Sequence, residues 1–168
     1  WRLPVTVTFR NDTAKRRKVK TFITIHGQNS DYETDDDGGL YGTEIQPKDK
    51  TTGTWELDMD HPRLWSIEDP YLYTAVIALY DGEGNLLDVT NQKIGIRSLS
   101  LASDDEGNQT LTINGERIVL YGINYNEHDP ETGMTLSYEQ MLSDVKLMKE
   151  LNINAVRSPG RSLSTTFL

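Results

Sequence analysis

Ile123-Asn124-Tyr125-Asn126-Glu127-His128-Asp129-Pro130 opens the stretch that decides the fold, and Asn154-Ala155-Val156-Arg157 closes it. Between them, Ser137 to Asn152 carries Met141, Leu142, Val145, Met148 and Asn152 at helical spacing, which predicts a helix with one buried face. Ser137 with Gln140 three residues on forms a capping box, and Leu136 and Met141 take the positions of a hydrophobic staple. Lys146 and Lys149 suit the negative C-terminal end of that helix. Ile153 to Val156 then reads as a strand buried in a parallel sheet. Strand, loop, helix, strand is the βαβ opening of a parallel α/β domain. In barrels built this way the chemistry sits at the C-terminal ends of the strands. Here those ends carry Asn124, Glu127 and His128 after the first strand and Arg157 after the second.

Upstream the grammar is different. From Leu3 to about Ser98 the pattern is all-β. Val5, Val7 and Phe9 alternate with Thr6 and Thr8, and Val19, Thr21, Ile23 and Ile25 alternate with Lys20, Phe22 and Thr24. A short strand over Thr54 to Asp58 centres on Trp55 and Leu57, a longer apolar one runs from Leu72 to Tyr80, and another from Leu86 to Leu99. Turn signals at Asn11-Asp12, Asp81-Gly82 and Gly84-Asn85 separate these runs, and short strands joined in this way predict an antiparallel sandwich. After Ser98, Asn114-Gly115 between Thr110–Ile113 and Arg117–Tyr121 is a strong hairpin signal, whose second strand runs on into Gly122-Ile123-Asn124. Pro159 to Leu168 has little patterning and no core role that sequence assigns.

Composition narrows the classes. A chain of 168 residues with 36% hydrophobic residues can bury one modest core. It is too short for a complete eight-fold barrel, which needs about 250 residues. Because Trp1-Arg2 runs straight into a strand pattern with no initiating Met, the sequence reads as a piece of a longer protein. The net charge of −9 disfavours a phosphate backbone as partner. The basic run Lys15-Arg16-Arg17-Lys18 reads as a solvated hairpin loop and not as a nucleic-acid patch. No long apolar run is present, so no membrane span is expected. The absence of Cys removes disulfides, thiolate metal sites and Cys nucleophiles.

Two local patterns carry chemistry only on a loose reading. Glu33, Asp35, Asp37, Gly38, Leu40 and Glu44 fit EF-hand spacing, with Glu in place of Asp at the first position. The flanks are the strand Val19 to Ile25 and Ile45-Gln46-Pro47-Lys48, not helices, so an acidic hairpin excursion without metal is expected. Trp55, Trp65, Tyr71 and Tyr73 could form a sugar-stacking platform, but packing in the sandwich core or against a neighbouring domain is the expected role.

Two segments bear a family resemblance. One is Pro62-Arg63-Leu64-Trp65-Ser66-Ile67-Glu68-Asp69-Pro70-Tyr71-Leu72-Tyr73 with Ile94-Gly95-Ile96-Arg97. The other is Leu111-Thr112-Ile113-Asn114-Gly115-Glu116 through Gly122 to His128, then Asn154-Ala155-Val156-Arg157. In that order and spacing they resemble the "LWSPE-PYLY … GFR" and "NGKP … RGVN-HEH … NAVR" patterns of the family 2 glycoside hydrolases, which include β-galactosidases, β-glucuronidases and β-mannosidases. The match spans 62 to 157 and is patchy before it. The resemblance implies a mainly β chain in two parts. Residues 1–98 would be an immunoglobulin-like antiparallel β-sandwich, and 99–168 the truncated βαβ opening of a TIM (β/α)8 barrel.

The implied activity is hydrolysis of β-linked sugars with retention, through a glycosyl-enzyme intermediate and without metal or cofactor. In the family the two catalytic Glu residues come from later barrel strands, so no catalytic residue is expected in this chain and the fragment by itself is expected to be inactive. Its substrate-pocket candidates in the full enzyme are Arg157, Glu127, His128 and Asn124. A strand-end Arg157 can orient a carboxylate by a bidentate contact. Glu127 could touch the pocket or bond loop backbone, His128 could do the same or pack in the loop, and Asn124 could bond sugar or satisfy the strand end. The implied partner is a carbohydrate substrate, while charge and the lack of a long apolar run speak against nucleic acid and membrane. The unfinished barrel edge is expected to leave the extension loosely ordered, docked back on the sandwich or paired with a second copy, self-association being the favoured outcome. Three positions depart from the pattern: Tyr121 stands for Arg, Asn126 for the first His of "HEH", and Ser158-Pro159-Gly160-Arg161 for "xSHYP". The alternative is a non-catalytic sandwich module that binds carbohydrate or protein, for which a βαβ extension over 109–157 would have no use.

Overall fold

The computed structural model describes residues 1–28, 33, 41–103 and 106–167. The chain divides into two compact units, Trp1–Ser98 and Leu99–Leu168.

In the first unit, apolar–polar alternation builds two antiparallel layers. β1 (Arg2–Arg10) pairs with β4 (Lys50–Asp58), with Val5 opposite Trp55. The other layer has the order β3-β2-β5-β6, formed by Tyr41–Ile45, Arg17–His26, Tyr73–Asp81 and Leu86–Ile94. Side chains at every second position meet between the layers: Phe9 from β1, Trp55 and Leu57 from β4, Ile23 and Ile25 from β2, Tyr73 and Ala75 from β5. Phe9 and Trp55 meet edge to face with centroids 6.2 Å apart. Fully burying one such side chain contributes about 1.5–3 kcal/mol, which makes this interior the stabilising centre of the sandwich.

The loop before β5 explains the aromatic cluster. Tyr73 accepts the Arg63 amide at 2.7 Å, and Tyr71 accepts that of Gln28 at 2.8 Å. Arg63 grips Asp69 through two nitrogens at 2.8 and 2.9 Å and lies over the Tyr71 ring. Trp55, Tyr71 and Tyr73 are buried core, and the Arg97 guanidinium lies 4.8 Å from the centroid of Trp65. These rings are packing elements and not a stacking platform.

Several boundaries differ from the sequence reading. β1 and β2 lie in different layers, so Lys15-Arg16-Arg17-Lys18 crosses a corner and is not a hairpin loop; Arg17 and Lys18 already belong to β2. Buried Asn11 fastens that corner, donating to the carbonyls of Lys15 and Gln46 at 2.7 and 3.1 Å and accepting the Thr13 amide at 3.0 Å. β4 begins at Lys50, ahead of the predicted Thr54, because the β1 ladder continues to Arg10 opposite Lys50. The predicted strand Leu86 to Leu99 ends at Ile94, and β6, paired among the described residues with β5 alone, leaves Leu86, Leu87 and Val89 exposed.

Of the EF-hand-like positions, Asp35, Asp37, Gly38 and Leu40 lie outside the described residues. Glu33 bridges to His26 with Oε1 to Nδ1 at 3.6 Å, and Glu44 in β3 pairs with Arg16 at 3.1 Å. The described elements on either side are the strands β2 and β3.

The second unit opens with β7 (Leu99–Ser103), β8 (Gln109–Ile113) and β9 (Glu116–Arg117), an antiparallel meander. Asn114 and Gly115 both have positive φ, 54° and 86°, as a type I′ hairpin turn requires. β9 stops at Arg117 although the pattern predicts a strand to Tyr121. The Asn154 side chain takes over there, donating to the Val119 carbonyl and accepting the Tyr121 amide, both at 2.8 Å. β10 (Gly122–Asn124) then pairs in parallel with β11 (Ala155–Arg157), Ile123 opposite Val156.

Between them α1 spans Tyr138–Glu150. Its Ser137 cap accepts the Gln140 amide at 3.2 Å while the Gln140 side chain accepts the Ser137 amide at 2.8 Å, the predicted capping box. The helix ends short of Asn152, because Asn152 turns left-handed at φ 57°. Asn152 then donates to Lys149 and Ile153 to Met148, a Schellman closure with Asn in the usual glycine position. The buried seam is Met141 and Met148, while Leu142 is exposed, so the covered face is narrower than predicted. Among the described residues no helix is long and apolar enough to cross a membrane.

Candidate functional site

The parallel register puts Asn124 directly opposite Arg157 at the C-terminal ends of β10 and β11. The ladder continues one step further, the Tyr125 amide donating to the Arg157 carbonyl at 2.9 Å. Arg157 Nη1 donates to Asn124 Oδ1 at 3.2 Å, and both residues are exposed. Two of the four sequence candidates are therefore brought together as one polar pair. It offers guanidinium donors and an amide to whatever lies beyond the strand ends.

Beyond Asn124 the chain alternates. Tyr125, Glu127 and Asp129 are half-buried, whereas Asn124, Asn126 and His128 are exposed. The half-buried set makes internal bonds. Tyr125 Oη donates to Asp144 Oδ2 on α1 at 2.6 Å, and its ring stacks on Phe167 with centroids 4.9 Å apart. Burial first, then the bond to Asp144, pushes the Tyr125 phenol well above its usual range.

Glu127 accepts the Ser164 hydroxyl at 2.7 Å and the Ser164 amide at 3.0 and 3.1 Å. The hydroxyl chiefly, then the amide, holds the carboxyl below its usual value against the opposing effect of burial, and the Arg161 charge adds to the lowering. Asp129 accepts the amides of Glu131 and Thr132 at 2.8 and 2.9 Å and Gln140 Nε2 at 2.9 Å, closing an Asx turn. The Thr132 amide is the main reason its carboxyl also lies low.

Both carboxylates at this strand end thus accept hydrogen bonds from inside the unit. His128 is exposed and borders the segment. Among the described residues no group of three or more His, Asp or Glu side chains gathers as a metal site would. An open-sided cavity of about 940 Å3 is lined by first-unit residues such as Val7, Phe9, Val19 and Leu79.

Sequence reasoning missed four residues that build the segment: Tyr125, Asp144, Asn154 and Ser164. The period-two placement of Tyr125, Glu127 and Asp129 was a usable signal for an extended exit with one inward side. Ser164 sits in a stretch without pattern and gave none.

Residues 1–97 match the family model for glycosyl hydrolases family 2, and residues 106–160 match the TIM barrel domain of the same family. The chain belongs to glycosyl hydrolases family 2. A β-galactosidase of Halalkalibacterium halodurans is 41% identical over 124 residues, covering 74% of this chain and 12% of that protein. A β-galactosidase of Psychromonas ingrahamii is 44% identical over 103 residues, covering 61% of this chain and 10% of that one. The chain thus spans about a tenth of the length of these family 2 relatives.

Among solved structures, a β-glucuronidase of Bacteroides uniformis superposes with a TM-score of 0.82 at 20% identity, over 99% of this chain and 19% of that one. A family 2 member from Bacteroides cellulosilyticus gives 0.82 at 24% identity, over 99% and 22%. The family assignment identifies the first unit as the sandwich of glycosyl hydrolases family 2 and β10-α1-β11 as the start of its barrel.

Proposed function

We propose that this chain supplies the sandwich and the first strand ends of a retaining β-glycosidase of the galactosidase type, and that Arg157, Asn124, His128 and Glu127 border its sugar pocket. The observation that carries the reading is the exposed Asn124–Arg157 pair, bonded at 3.2 Å where parallel strands end. Barrels place their chemistry at that end. The β-galactosidase relatives support the substrate class. Arg157 and Asn124 donate to sugar hydroxyls, His128 flanks them, and Glu127 shapes the wall.

Retention needs two carboxylates about 5 Å apart on either side of the glycosidic bond. Glu127 and Asp129 are already bound by Ser164 and by the Asx turn. The 168-residue chain alone is therefore inactive. An assay with nitrophenyl β-galactoside, β-glucuronide and β-mannoside tests this: no turnover above a blank preparation is expected, and turnover of any of the three overturns it.

The second unit also self-associates in this reading. Among the described residues β11 pairs with β10 alone, and Leu147 and Leu151 are 55% and 63% exposed, so a free strand edge and apolar surface are both present. Sedimentation of the chain against a truncation ending at Ser98 tests it. A chain that stays monomeric at high concentration refutes it.

A further inference from the structure

The strand exit after β10 has two sides with different work. On one side Tyr125, Glu127 and Asp129 each bond to another part of the unit: Asp144 on α1, Ser164 in the segment after β11, and Gln140 at the start of α1. On the other side Asn124, Asn126 and His128 are exposed. Residues 158–167 form bends and turns but no helix or strand, so no regular ladder holds them in place. What holds them is a few side-chain contacts. Ser164 brings both its hydroxyl and its amide to Glu127, Phe167 stacks on Tyr125, and Arg161 reaches the Met134 sulfur. The Phe167 amide in turn donates to the Ser164 hydroxyl oxygen and carbonyl, so the bond at Ser164 also orders the turn that carries the stacked ring.

We infer that Glu127 is a positioning residue: its carboxylate, bound by the hydroxyl and amide of Ser164, fastens residues 158–167 to the strand exit and keeps that exit extended, with Asn124, Asn126 and His128 outward. The assignment deepens the pocket reading given above and rests on it only for the consequence for sugar binding; the fastening itself stands on the Ser164 geometry. The Ser164 amide is shared between both carboxylate oxygens and its hydroxyl bonds one of them, so both oxygens are engaged inward by one residue, and losing the carboxylate would take the acceptor from that amide and hydroxyl together. The charged and titratable groups around it act in the same direction. Arg161 from the fastened segment favours the ionised carboxylate, and Tyr125 beside it stays neutral because of burial and Asp144. The fastening is therefore present above the usual carboxylate range and is lost as pH falls through the lowered value of Glu127.

The test uses the 168-residue chain and no sugar, so its outcome is independent of whether the glycosidase reading holds. Amide exchange and side-chain titration are followed by NMR in the native chain, in Glu127→Ala and in Ser164→Ala. Removing the acceptor should speed exchange of the Ser164 amide by roughly tenfold or more, because a local opening no longer has to break that bond. Contacts between the Tyr125 and Phe167 rings should weaken, while Ile123 and Val156 amides stay as they are. In Ser164→Ala the Glu127 titration should move up toward the ordinary carboxylate value. If Glu127→Ala unfolds the second unit, the Ser164→Ala titration decides the matter alone. Unchanged Ser164 exchange in a folded Glu127→Ala chain, or a Glu127 titration that Ser164→Ala does not move, overturns the assignment.

Discussion

Tyr125→Phe removes one oxygen and isolates one interaction. The Tyr125 hydroxyl donates to Asp144 at 2.6 Å, while the ring face on Phe167 is kept by Phe. A hydrogen bond to a charged group contributes about 1.5–3 kcal/mol, and the half-buried setting argues for the lower end. For a unit of this size a loss of about 1.5 kcal/mol lowers the melting temperature by about 6–12 °C. The three Trp residues all lie in the first unit, so Trp fluorescence follows the sandwich alone. The helical circular dichroism signal follows α1, the helix among the described residues. Tyr125→Phe should lower the helical transition and leave the fluorescence transition in place.

The pH dependence adds a second readout. The folded chain holds the Tyr125 phenol above its unfolded value, so this contribution is complete below the unfolded pKa. It is lost as pH rises from there through the folded value. The native second unit should weaken in alkali, and Tyr125→Phe should flatten that limb. An unchanged helical transition, or an alkaline limb identical in the two proteins, refutes the link between β10 and α1.

Other substitutions test other joints. Ser137→Ala removes the side-chain half of the capping box, the hydroxyl that accepts the Gln140 amide, and should cost about 1 kcal/mol, read as a lower helical transition with the fluorescence transition unmoved. Asn154→Ala deletes two hydrogen bonds that hold the chain between β9 and β10 and should cost about 1–2 kcal/mol, with faster amide exchange at Tyr121 as its local sign. Melting in calcium and in chelator should coincide, since Glu33 and Glu44 are engaged with His26 and Arg16; a reproducible rise of several degrees in calcium would contradict this by mass action.

What was legible in the sequence follows from what is local. The capping box, the Asn114-Gly115 turn and the alternation that buries Val19, Ile23 and Ile25 are set by neighbours within a few residues, and the structure has them where they were read. The departures come from long-range partners. β4 begins early because β1, forty or more residues away, extends its ladder. β9 stops early because Asn154 supplies bonds from beyond α1. At the site, the pairing of Asn124 with Arg157 follows from parallel register once the βαβ unit is recognised, whereas the bond from Glu127 ends at Ser164, in a stretch with no periodicity to betray it.

The central claim is that the Asn124–Arg157 strand ends serve a retaining β-galactosidase-type pocket. The most direct measurement joins residues 1–157 of this chain to the remainder of the Halalkalibacterium halodurans β-galactosidase, the relative 41% identical over 124 residues. Hydrolysis of nitrophenyl β-galactoside is then followed, with the anomer released first read by NMR. Turnover is expected, with the β-anomer released first. Arg157→Ala should lose about tenfold to a hundredfold in kcat/KM, the effect of removing one charged hydrogen-bonding contact to the substrate. A folded chimera whose Arg157→Ala variant keeps full kcat/KM, or one that releases the inverted anomer, would contradict it.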